Sequence, residues 1–462
     1  ETQPGGAVQS VPDAGTDPLY SDQWHLDGAN VPAAWSYLES QSKPAGGSSD
    51  VTVAVIDTGV DYTHSDLAGN MWINVAEIAD NGVDDDGNGF VDDVHGVNVI
   101  ANTGEPQDDN GHGTHVAGII AATGENGIGG TGIAYGVRIM AVKAAQYSGI
   151  LTSADIAEGI YSAAAQGADV INMSFGGYGR SYVEEDALAV AFSTSVLVAA
   201  AGNDGIANQP CPYIGAPLYP AAYSWVLGVM ASQQYPDTDG DYMAGFSNWD
   251  CMAKNGLEYE LMAPGRQIWS TLPNEGYSGW SGTSMATPVA AGIAALLRTH
   301  WSDKSVYSSR FIMGQVAGTG PAQQAFTPLV GLPVSFKKAD ALEALTNTPK
   351  PSIAYLEHWV WDTTAQAAGN DDDGIVDAGE TIDLAIVVKN HWVKGYPVSV
   401  TLTPWADGAI GPDPYVTMIT DTVDYGAVGS FNQDDNGLIY DAEGAVTGVT
   451  SPFQFSVAAD TP

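Results

Sequence analysis

Three short motifs contain side chains that could act together in nucleophilic chemistry. Asp57 ends the apolar run Val53–Ile56, His112 lies between glycines in NGHGTHVAG, and Ser284 lies in GTSMATP before an Ala-rich run. An imidazole can take the proton of a hydroxyl nucleophile while a carboxylate orients the imidazole. The three residue types therefore predict acyl transfer through Ser284.

Each of these residues also has an ordinary structural interpretation. Asp57 could cap a turn or bind a metal, and Ser284 could be a helix N-cap. His112 and His115 could both bind a metal, but the glutamate of the HExxH motif is absent. Because His115 lies at the start of the predicted helix, we expect it to be the structural member of the pair.

A fourth candidate, Asn203, follows the apolar run Val196–Ala200. An amide at the edge of a sheet could donate a hydrogen bond to an oxyanion. A turn-forming Asn before Asp-Gly is the alternative.

Short apolar runs rich in β-branched residues alternate with Ala-rich stretches from Asp17 onward. This alternation predicts an α/β domain with a mostly parallel central sheet. The predicted strands are Val51–Ile56, Val137–Val142, Val170–Met173, Val196–Ala200 and Trp225–Met230. The predicted helices are Val116–Ala122, Ser153–Ala165, Val183–Phe192, Thr287–Leu297 and Ala339–Thr346.

The composition and residue pattern of the chain change again near its C-terminal quarter. The sequence predicts a surface arm at residues 1–16, the α/β domain at residues 17–346 and a Pro-containing linker at residues 347–352. In 353–462, alternating runs separated by Gly, Asp and Pro turns predict an all-β sandwich domain. We therefore expect two domains.

The four motifs DTG, NGHGTHVAG, AAAGN and GTSMATPVAAG together resemble those of the subtilisin-like serine proteases, or subtilases, across the predicted α/β domain. The resemblance implies a three-layer subtilisin-like fold and serine endopeptidase activity. It makes Ser284 the nucleophile, His112 the general base and Asp57 the residue that orients His112. The Asn203 amide and the Ser284 backbone N–H would form the oxyanion hole.

The resemblance also implies where substrate binds. Ser174, Phe175, Gly176 and Gly177 correspond to the strand that pairs with the substrate backbone, and Leu218 to the pocket base. These residues carry no charge, so we expect cleavage after apolar or aromatic residues. Some N-terminal segments resemble the kexin branch, so the alternative is a narrow processing protease that cuts after basic residues and whose C-terminal domain docks a partner or polymer.

Acidic loops predict calcium sites, because Asp and Asn oxygens around a glycine turn suit Ca²⁺. The loop at 84–93 resembles an EF-hand loop with His95 at its twelfth position, and its predicted ligands are Asp84, Asp86, Asn88, Phe90, Asp92 and Asp93. The subtilase resemblance implies a second site formed by Asp17, Asp66, Asn126 and the carbonyls of Thr123, Ile128 and Gly130. A third, in the C-terminal domain, would use Asn370, Asp372, Asp377 and Glu380. We expect two or more ions; solvated acidic turns are the alternative.

The chain has 14 Lys+Arg and 55 Asp+Glu, a formal net charge of −41. This balance argues against nucleic acid or an anionic membrane as a partner, because phosphate-neutralising cations are missing. The chain contains no run of about 18 uncharged apolar residues, so its sequence predicts no membrane-spanning helix.

Two further features concern the location of the protein. The chain starts without an apolar leader, and its two cysteines, Cys211 and Cys251, could form one disulfide or remain buried thiols. The acidic charge fits a secreted, extracellular protein whose signal peptide and pro-segment have been removed or left out, and we expect a monomer. The expected partners are protein or peptide substrates and, before zymogen maturation, its own pro-segment.

Overall fold

The computed structural model describes most of the chain as two compact units that divide between Lys350 and Pro351. The described residues are 17–205, 217–234, 241–249, 259–326, 333–347, 353–362, 376–390, 396–404, 415–428, 433–441 and 445–459. The predicted arm at 1–16 and most of the linker at 347–352 lie outside these ranges.

A ten-stranded sheet forms the centre of the first unit. Its strand order is β11-β12-β8-β6-β5-β4-β1-β3-β2, with β7 paired to β6, and only the β11–β12 and β6–β7 pairs are antiparallel. The strands are β1 (Thr52–Asp57), β2 (Gly96–Asn98), β3 (Arg138–Lys143), β4 (Val170–Met173), β5 (Val196–Ala200), β6 (Leu227–Gln234), β7 (Asp241–Met243), β8 (Leu261–Pro264), β11 (Ala322–Phe326) and β12 (Pro333–Lys338); a separate hairpin joins β9 (Ile268–Leu272) to β10 (Gly276–Trp280). The predicted mostly parallel sheet is confirmed.

Helices flank this sheet, as the α/β prediction requires. They are α1 (Trp24–Gly28), α2 (Val31–Ser40), α3 (His112–Ala121), α4 (Ser153–Ala165), α5 (Tyr182–Ala191), α6 (Thr283–His300), α7 (Ser309–Thr319) and α8 (Ala341–Thr346), with short 3₁₀ helices at Tyr20–Asp22 and Ala68–Asn70. Helix α6 packs with α3 and against β4, β5 and β6, whereas α4 packs with α5 and against β1 and β3. None of the helices in the described ranges has both the length and the apolar character needed to cross a bilayer.

The second and last α-helices of this unit pack against each other. Helix α2 contacts α8, and the N–H of Ala341 donates to the carbonyl oxygen of Ala29 over 2.8 Å. The side-chain amide of Asn30 donates to the Asp340 carboxylate, the N-cap of α8, over 3.2 Å. The two ends of the first unit are therefore joined.

The second unit is built from antiparallel strands. They are β13 (Ile353–Trp361), β14 (Thr381–Asn390), β15 (Tyr396–Thr401), β16 (Val416–Thr420), β17 (Thr422–Val428), β18 (Gln433–Asp435), β19 (Leu438–Tyr440), β20 (Val446–Val449) and β21 (Phe453–Val457). One sheet contains β13, β14, β16, β18 and β21, while β15 pairs with β17 and β19 with β20. Side chains of β14 and β21 share a hydrophobic core with those of β15 and β17. Two sheets thus enclose one core, the arrangement of a sandwich.

Candidate active site

Asp57 and His112 form a hydrogen-bonded pair at the carboxyl end of β1. Nδ1 of His112 lies 2.7 Å from Oδ1 and 2.9 Å from Oδ2 of the buried Asp57 carboxylate. Because an ionised carboxylate can only accept hydrogen bonds, Nδ1 carries the proton and Nε2 is left as the acceptor. Burial disfavours the charged ring, but the attraction of Asp57 outweighs it and raises the pKa of His112.

The buried carboxylate of Asp108 builds the turn that presents His112. Helix α3 begins after Gly111, whose φ of +109° lies in the left-handed region that favours glycine. Asp108 accepts hydrogen bonds from the amides of Asn110, Gly111 and Thr114 and from the hydroxyls of Thr58 and Thr114. Asp108 was not among the predicted site residues, although an acidic residue two positions before Asn-Gly is a turn signal.

A buried cation also lies next to this pair. Lys143, the last residue of β3, is aligned with Asp57 across the parallel ladder. Its Nζ donates to the carbonyl oxygen of Thr58 over 2.6 Å and to the Asp109 carboxylate over 2.7 Å. Lys143 therefore connects the loop after Asp57 to the loop before His112.

Ser284 is the second residue of α6, and Ser174, directly after β4, holds it in place. The Ser174 hydroxyl donates to the carbonyl oxygen of Ser284 over 2.9 Å, and the Ser284 hydroxyl donates to the carbonyl oxygen of Ser174 over 3.0 Å. Pro288 has no N–H to give the Ser284 carbonyl its helical hydrogen bond, so Ser174 supplies one. The Ser284 hydroxyl has to rotate away from Ser174 before it can donate to Nε2 of His112.

Two hydrogen-bond donors border one space beside Gly282. Oδ1 of Asn203 accepts the N–H of Thr283 over 2.7 Å, which leaves the Nδ2 amide for other acceptors. A Cβ atom on Gly282 would lie 3.5 Å from Nδ2 of Asn203 and 3.6 Å from the backbone nitrogen of Ser284. N–H groups in the first turn of a helix have no intrahelical acceptor and favour negative charge. The space beside Gly282 can therefore stabilise an oxyanion.

His115 occupies a different environment from His112. Its fully buried ring stacks on Trp280 at 4.7 Å, and Nε2 lies 3.0 Å from the carbonyl oxygen of Ser278. Burial lowers the pKa of His115 to about 4, so the ring is neutral near pH 7. These contacts give His115 the structural role expected of it.

Ser174 and Phe175, two of the five residues predicted to bind substrate, line a cleft beside the Asp57–His112 pair. The cleft has a volume of about 200 Å³ and is also lined by Asp57, His112 and Leu151. Beyond the cleft, Gly177 pairs with Tyr219 through two hydrogen bonds of 2.8 Å. The buried Leu218 is packed so closely on Gly176 and Gly202 that a Cβ on either glycine would meet its methyl group. The predicted substrate-pairing segment and Leu218, the predicted base of the pocket, are therefore in contact.

One carboxylate lies near this apolar wall. Asp204 directly follows Asn203 and accepts a hydrogen bond from the hydroxyl of Tyr178. The amide of Asn248 donates to the same hydroxyl over 3.1 Å. The segment Ser174–Gly177 has no charge, but Asp204, which was not among the predicted site residues, adds an acidic group close to it.

The acidic loop at 84–93 brings three carboxylates together. Oxygen atoms of Glu77, Asp84 and Asp86 lie within 4.8 Å of one another. Glu77 was not predicted, because it precedes the repeated Asp/Asn pattern. Two other predicted ligands of this loop accept hydrogen bonds from the protein. Asp92 accepts from the backbone amides of Asn81 and Gly82. Asp93 accepts from the side-chain amides of Asn74, Asn88 and Gln166. Asn88 accepts the N–H of Phe90.

The second predicted group forms around the buried carboxylate of Asp66. Burial raises the pKa of Asp66 to about 7, and repulsion from the buried Asp17 adds to the increase. The amide of Asn126 donates to Asp66 over 2.7 Å. Asp17 accepts hydrogen bonds from Glu125, Gly127 and Thr131, in the loop that also carries Thr123, Ile128 and Gly130. Two neighbouring buried carboxylates are a fit environment for a cation.

The third predicted group is only partly described. In the second unit, the N–H of Asp377 donates to Oε2 of the buried Glu380 over 2.7 Å. Oε1 of Glu380 has no hydrogen-bond partner among the described residues. The other predicted ligands, Asn370 and Asp372, and the two cysteines, Cys211 and Cys251, lie outside the described residues.

The chain is similar in sequence to known serine proteases. The chain is 40% identical over 252 residues to the thermophilic serine proteinase of Bacillus sp. (strain AK1), covering 54% of this chain and 53% of that protein. It is 35% identical over 308 residues to thermitase of Thermoactinomyces vulgaris, covering 66% and 93%. It is 37% identical over 281 residues to the halolysin-like extracellular serine protease Nep of Natrialba magadii, covering 61% and 44%. For the first and third, the chain spans about half of the relative's length.

A family-level comparison covers more than half of the chain. The sequence model of the subtilase family matches residues 48–324, a range that includes β1, α3 and α6. These three elements carry Asp57, His112 and Ser284, so the matched range contains all three candidate catalytic residues. From the family match and the extent of the similarity to thermitase, we conclude that the chain belongs to the subtilase family of serine endopeptidases.

Proposed function

We propose that this protein is a secreted, calcium-stabilised serine endopeptidase that hydrolyses proteins through an acyl-enzyme on Ser284. The observation that carries the proposal is the hydrogen-bonded Asp57–His112 pair, with Nε2 of His112 free to accept a proton. The donors beside Gly282 support the same chemistry, because two N–H groups that border one space could stabilise the oxyanion of a tetrahedral intermediate.

The proposed reaction uses only groups of the chain and one water molecule. Oγ of Ser284 attacks the carbonyl carbon of the substrate while Nε2 of His112 takes its proton. The Asn203 amide and the Ser284 N–H stabilise the oxyanion. His112 then gives its proton to the leaving nitrogen as the C–N bond breaks. Water attacks the acyl-enzyme, His112 takes the proton of the water, and the proton returns to Ser284 as the acid product leaves.

We infer a broad specificity with a preference for apolar or aromatic residues on the acyl side of the cleaved bond. The buried Leu218, packed between Gly176 and Gly202, supports this preference because it gives the pocket an apolar base. Pairing of the substrate backbone with Ser174–Gly177 would tolerate many sequences, since main-chain hydrogen bonds do not depend on side chains. The exposed Asp204 carboxylate favours the competing preference for basic residues.

Cleavage of a mixed peptide library, read by mass spectrometry, tests this specificity. We expect kcat/KM for apolar or aromatic residues at the cut to exceed that for Lys and Arg by about 10-fold or more. The Ser284→Ala variant is the control for contaminating proteases. Asp204→Asn should leave the order of preference unchanged. Cuts that cluster after paired basic residues, and that are lost in Asp204→Asn, would instead support a narrow processing protease.

We also propose that calcium stabilises the folded protein. The oxygens of Glu77, Asp84 and Asp86 would hold one ion, and Asp17, Asp66 and Asn126 another, because hard oxygen donors suit Ca²⁺. The unpartnered Oε1 of Glu380 supports a further site in the second unit. When bound, the ions would offset repulsion among neighbouring carboxylates.

Removal of calcium tests this proposal. An ion that binds only the folded state at about 100 times its Kd adds about 2.7 kcal/mol, so chelation should lower the midpoint of thermal unfolding by roughly 5–10 °C. The Asp86→Asn variant should lose part of this difference. The control is Asp303→Asn, at an exposed carboxylate that contacts Ser305. Identical melting of the wild type with calcium and with chelator would contradict the proposal.

The remaining properties follow from the family and its relatives. Secretion is supported by the relatives of Natrialba magadii and Bacillus subtilis, whose names describe extracellular proteases. We further propose maturation from a zymogen by removal of a pro-segment, function as a monomer, and a disulfide between Cys211 and Cys251.

A further inference from the structure

A second cavity lies at the opposite edge of the central sheet from the catalytic residues. It has a volume of about 190 Å³ and is lined by Val51 and Asp169, which precede β1 and β4. Asp57, in contrast, ends β1. Three cationic side chains, Lys43, Arg298 and Lys304, also line the cavity. The whole chain has only 14 Lys and Arg residues, so this grouping is unusual for its composition.

Arg298 is the most constrained of these cations. Its side chain is 2% exposed, and Nη1 donates to the carbonyl oxygens of Trp301 and Tyr307 over 3.3 and 2.6 Å. Nε lies 3.7 Å from the Asp169 carboxylate, while Nη2 has no hydrogen-bond partner among the described residues. A buried guanidinium N–H without an acceptor is unfavourable, so an anion in the adjoining cavity that accepted this N–H would stabilise the side chain.

The carboxylates at the cavity do not neutralise all of this charge. Asp169 accepts the N–H of Thr52 over 3.1 Å and pairs with Lys304 over 2.7 Å. Asp50, exposed at the rim, accepts the hydroxyl of Ser48. Three cations against two carboxylates leave one positive charge in excess. In a chain of net charge −41, a local excess of positive charge attracts small anions.

We propose that this cavity binds a hydrogen phosphate ion. A guanidinium group and ammonium groups are the side chains that bind phosphate oxygens most strongly. Near neutral pH, phosphate also retains an O–H that can donate to a carboxylate such as Asp50. Sulfate has the same shape but no such proton, so the two carboxylates at the cavity would repel it. The site is separate from the catalytic residues and does not depend on the proposed function.

Thermal unfolding and calorimetric titration with inorganic phosphate test the site. The full chain carries Ser284→Ala to prevent autolysis, and a calcium buffer keeps free calcium constant. Phosphate should bind with 1:1 stoichiometry and raise the unfolding midpoint above that in chloride at equal ionic strength. Lys43→Met and Arg298→Met should each weaken binding on the order of ten-fold or more. Lys43 is half-buried at the cavity, so its variant should fold even if Arg298→Met does not.

The matched control is Arg310→Met, which removes one cation that lies over the ring of Phe192 and does not line the cavity. This variant should bind phosphate as the parent does. No stabilisation by phosphate beyond that of chloride would overturn the proposal and leave water as the occupant. Unchanged affinity in Lys43→Met, or equal stabilisation by sulfate, would also overturn the assignment to phosphate.

Discussion

Replacing Ser284 by alanine should lower kcat by about 10⁶-fold, a magnitude known for the nucleophile of subtilisin itself. No other group in the proposed reaction can form the acyl bond, so the residual rate reflects only binding and oxyanion stabilisation. Release of a chromophore from a peptide anilide, under single- and multiple-turnover conditions, measures the loss.

The same variant should remain folded. The Ser284 side chain donates only to the carbonyl oxygen of Ser174, and the return bond from the Ser174 hydroxyl uses the Ser284 backbone. The unfolding midpoint should therefore change little. Ser281→Ala, three residues earlier, is the matched control and should keep full activity because its hydroxyl accepts from Gln267. A loss smaller than about 100-fold in Ser284→Ala would show that Ser284 is not the nucleophile.

The second large effect is expected for Asp57→Asn, which should lower kcat by about 10⁴-fold. An amide can donate to Nδ1 of His112, so the ring would adopt the tautomer in which Nε2 carries the proton and cannot act as a base. Because the Asp57 carboxylate raises the pKa of His112, its removal should lower that pKa. The active form has a neutral ring, so the acid limb of kcat/KM should move to lower pH.

A pH profile of kcat/KM for the wild type and Asp57→Asn checks both parts of this prediction. Asp303→Asn makes the same chemical change at an exposed residue and should leave the profile unchanged. An acid limb that moves to higher pH in Asp57→Asn, or does not move, would contradict the assigned electrostatic role of Asp57.

Candidate catalytic residues could be proposed from the sequence because each is embedded in a local motif. The letters around Asp57, His112, Asn203 and Ser284 resemble those of the subtilase motifs, and this resemblance needs no structure. Strands and helices with strong apolar patterns could likewise be predicted from the sequence. The bounds predicted for Val170–Met173, Val196–Ala200 and Ser153–Ala165 are confirmed.

The starts of the two catalytic helices were not predictable in the same way. The apolar pattern predicts helices at Val116–Ala122 and Thr287–Leu297, but α3 begins at His112 and α6 at Thr283. Glycines and Pro288 read as helix breakers, whereas Asp108 and Ser174 satisfy the polar groups of those first turns. Ser174 is 110 residues from Ser284, so no local window contains this information.

The tertiary contacts of charged residues also could not be predicted from the sequence. Lys143 is buried because Thr58 and Asp109 accept its hydrogen bonds. Glu77 joins Asp84 and Asp86 only after the loop closes. In each case the contacting residues are not related by the periodicity of a helix or a strand, so no sequence pattern predicts that they meet.

The contact between α2 and α8 has a kinetic consequence. The first unit cannot close until residues near 341 have been synthesised, because Ala341 bonds to Ala29. Contacts between residues so far apart form slowly during folding, since a long loop must be closed first. For a protease, any copy that opens is also a substrate for its neighbours. The working lifetime of a population would then be set by how often the joined ends separate, rather than by the equilibrium between folded and unfolded chains.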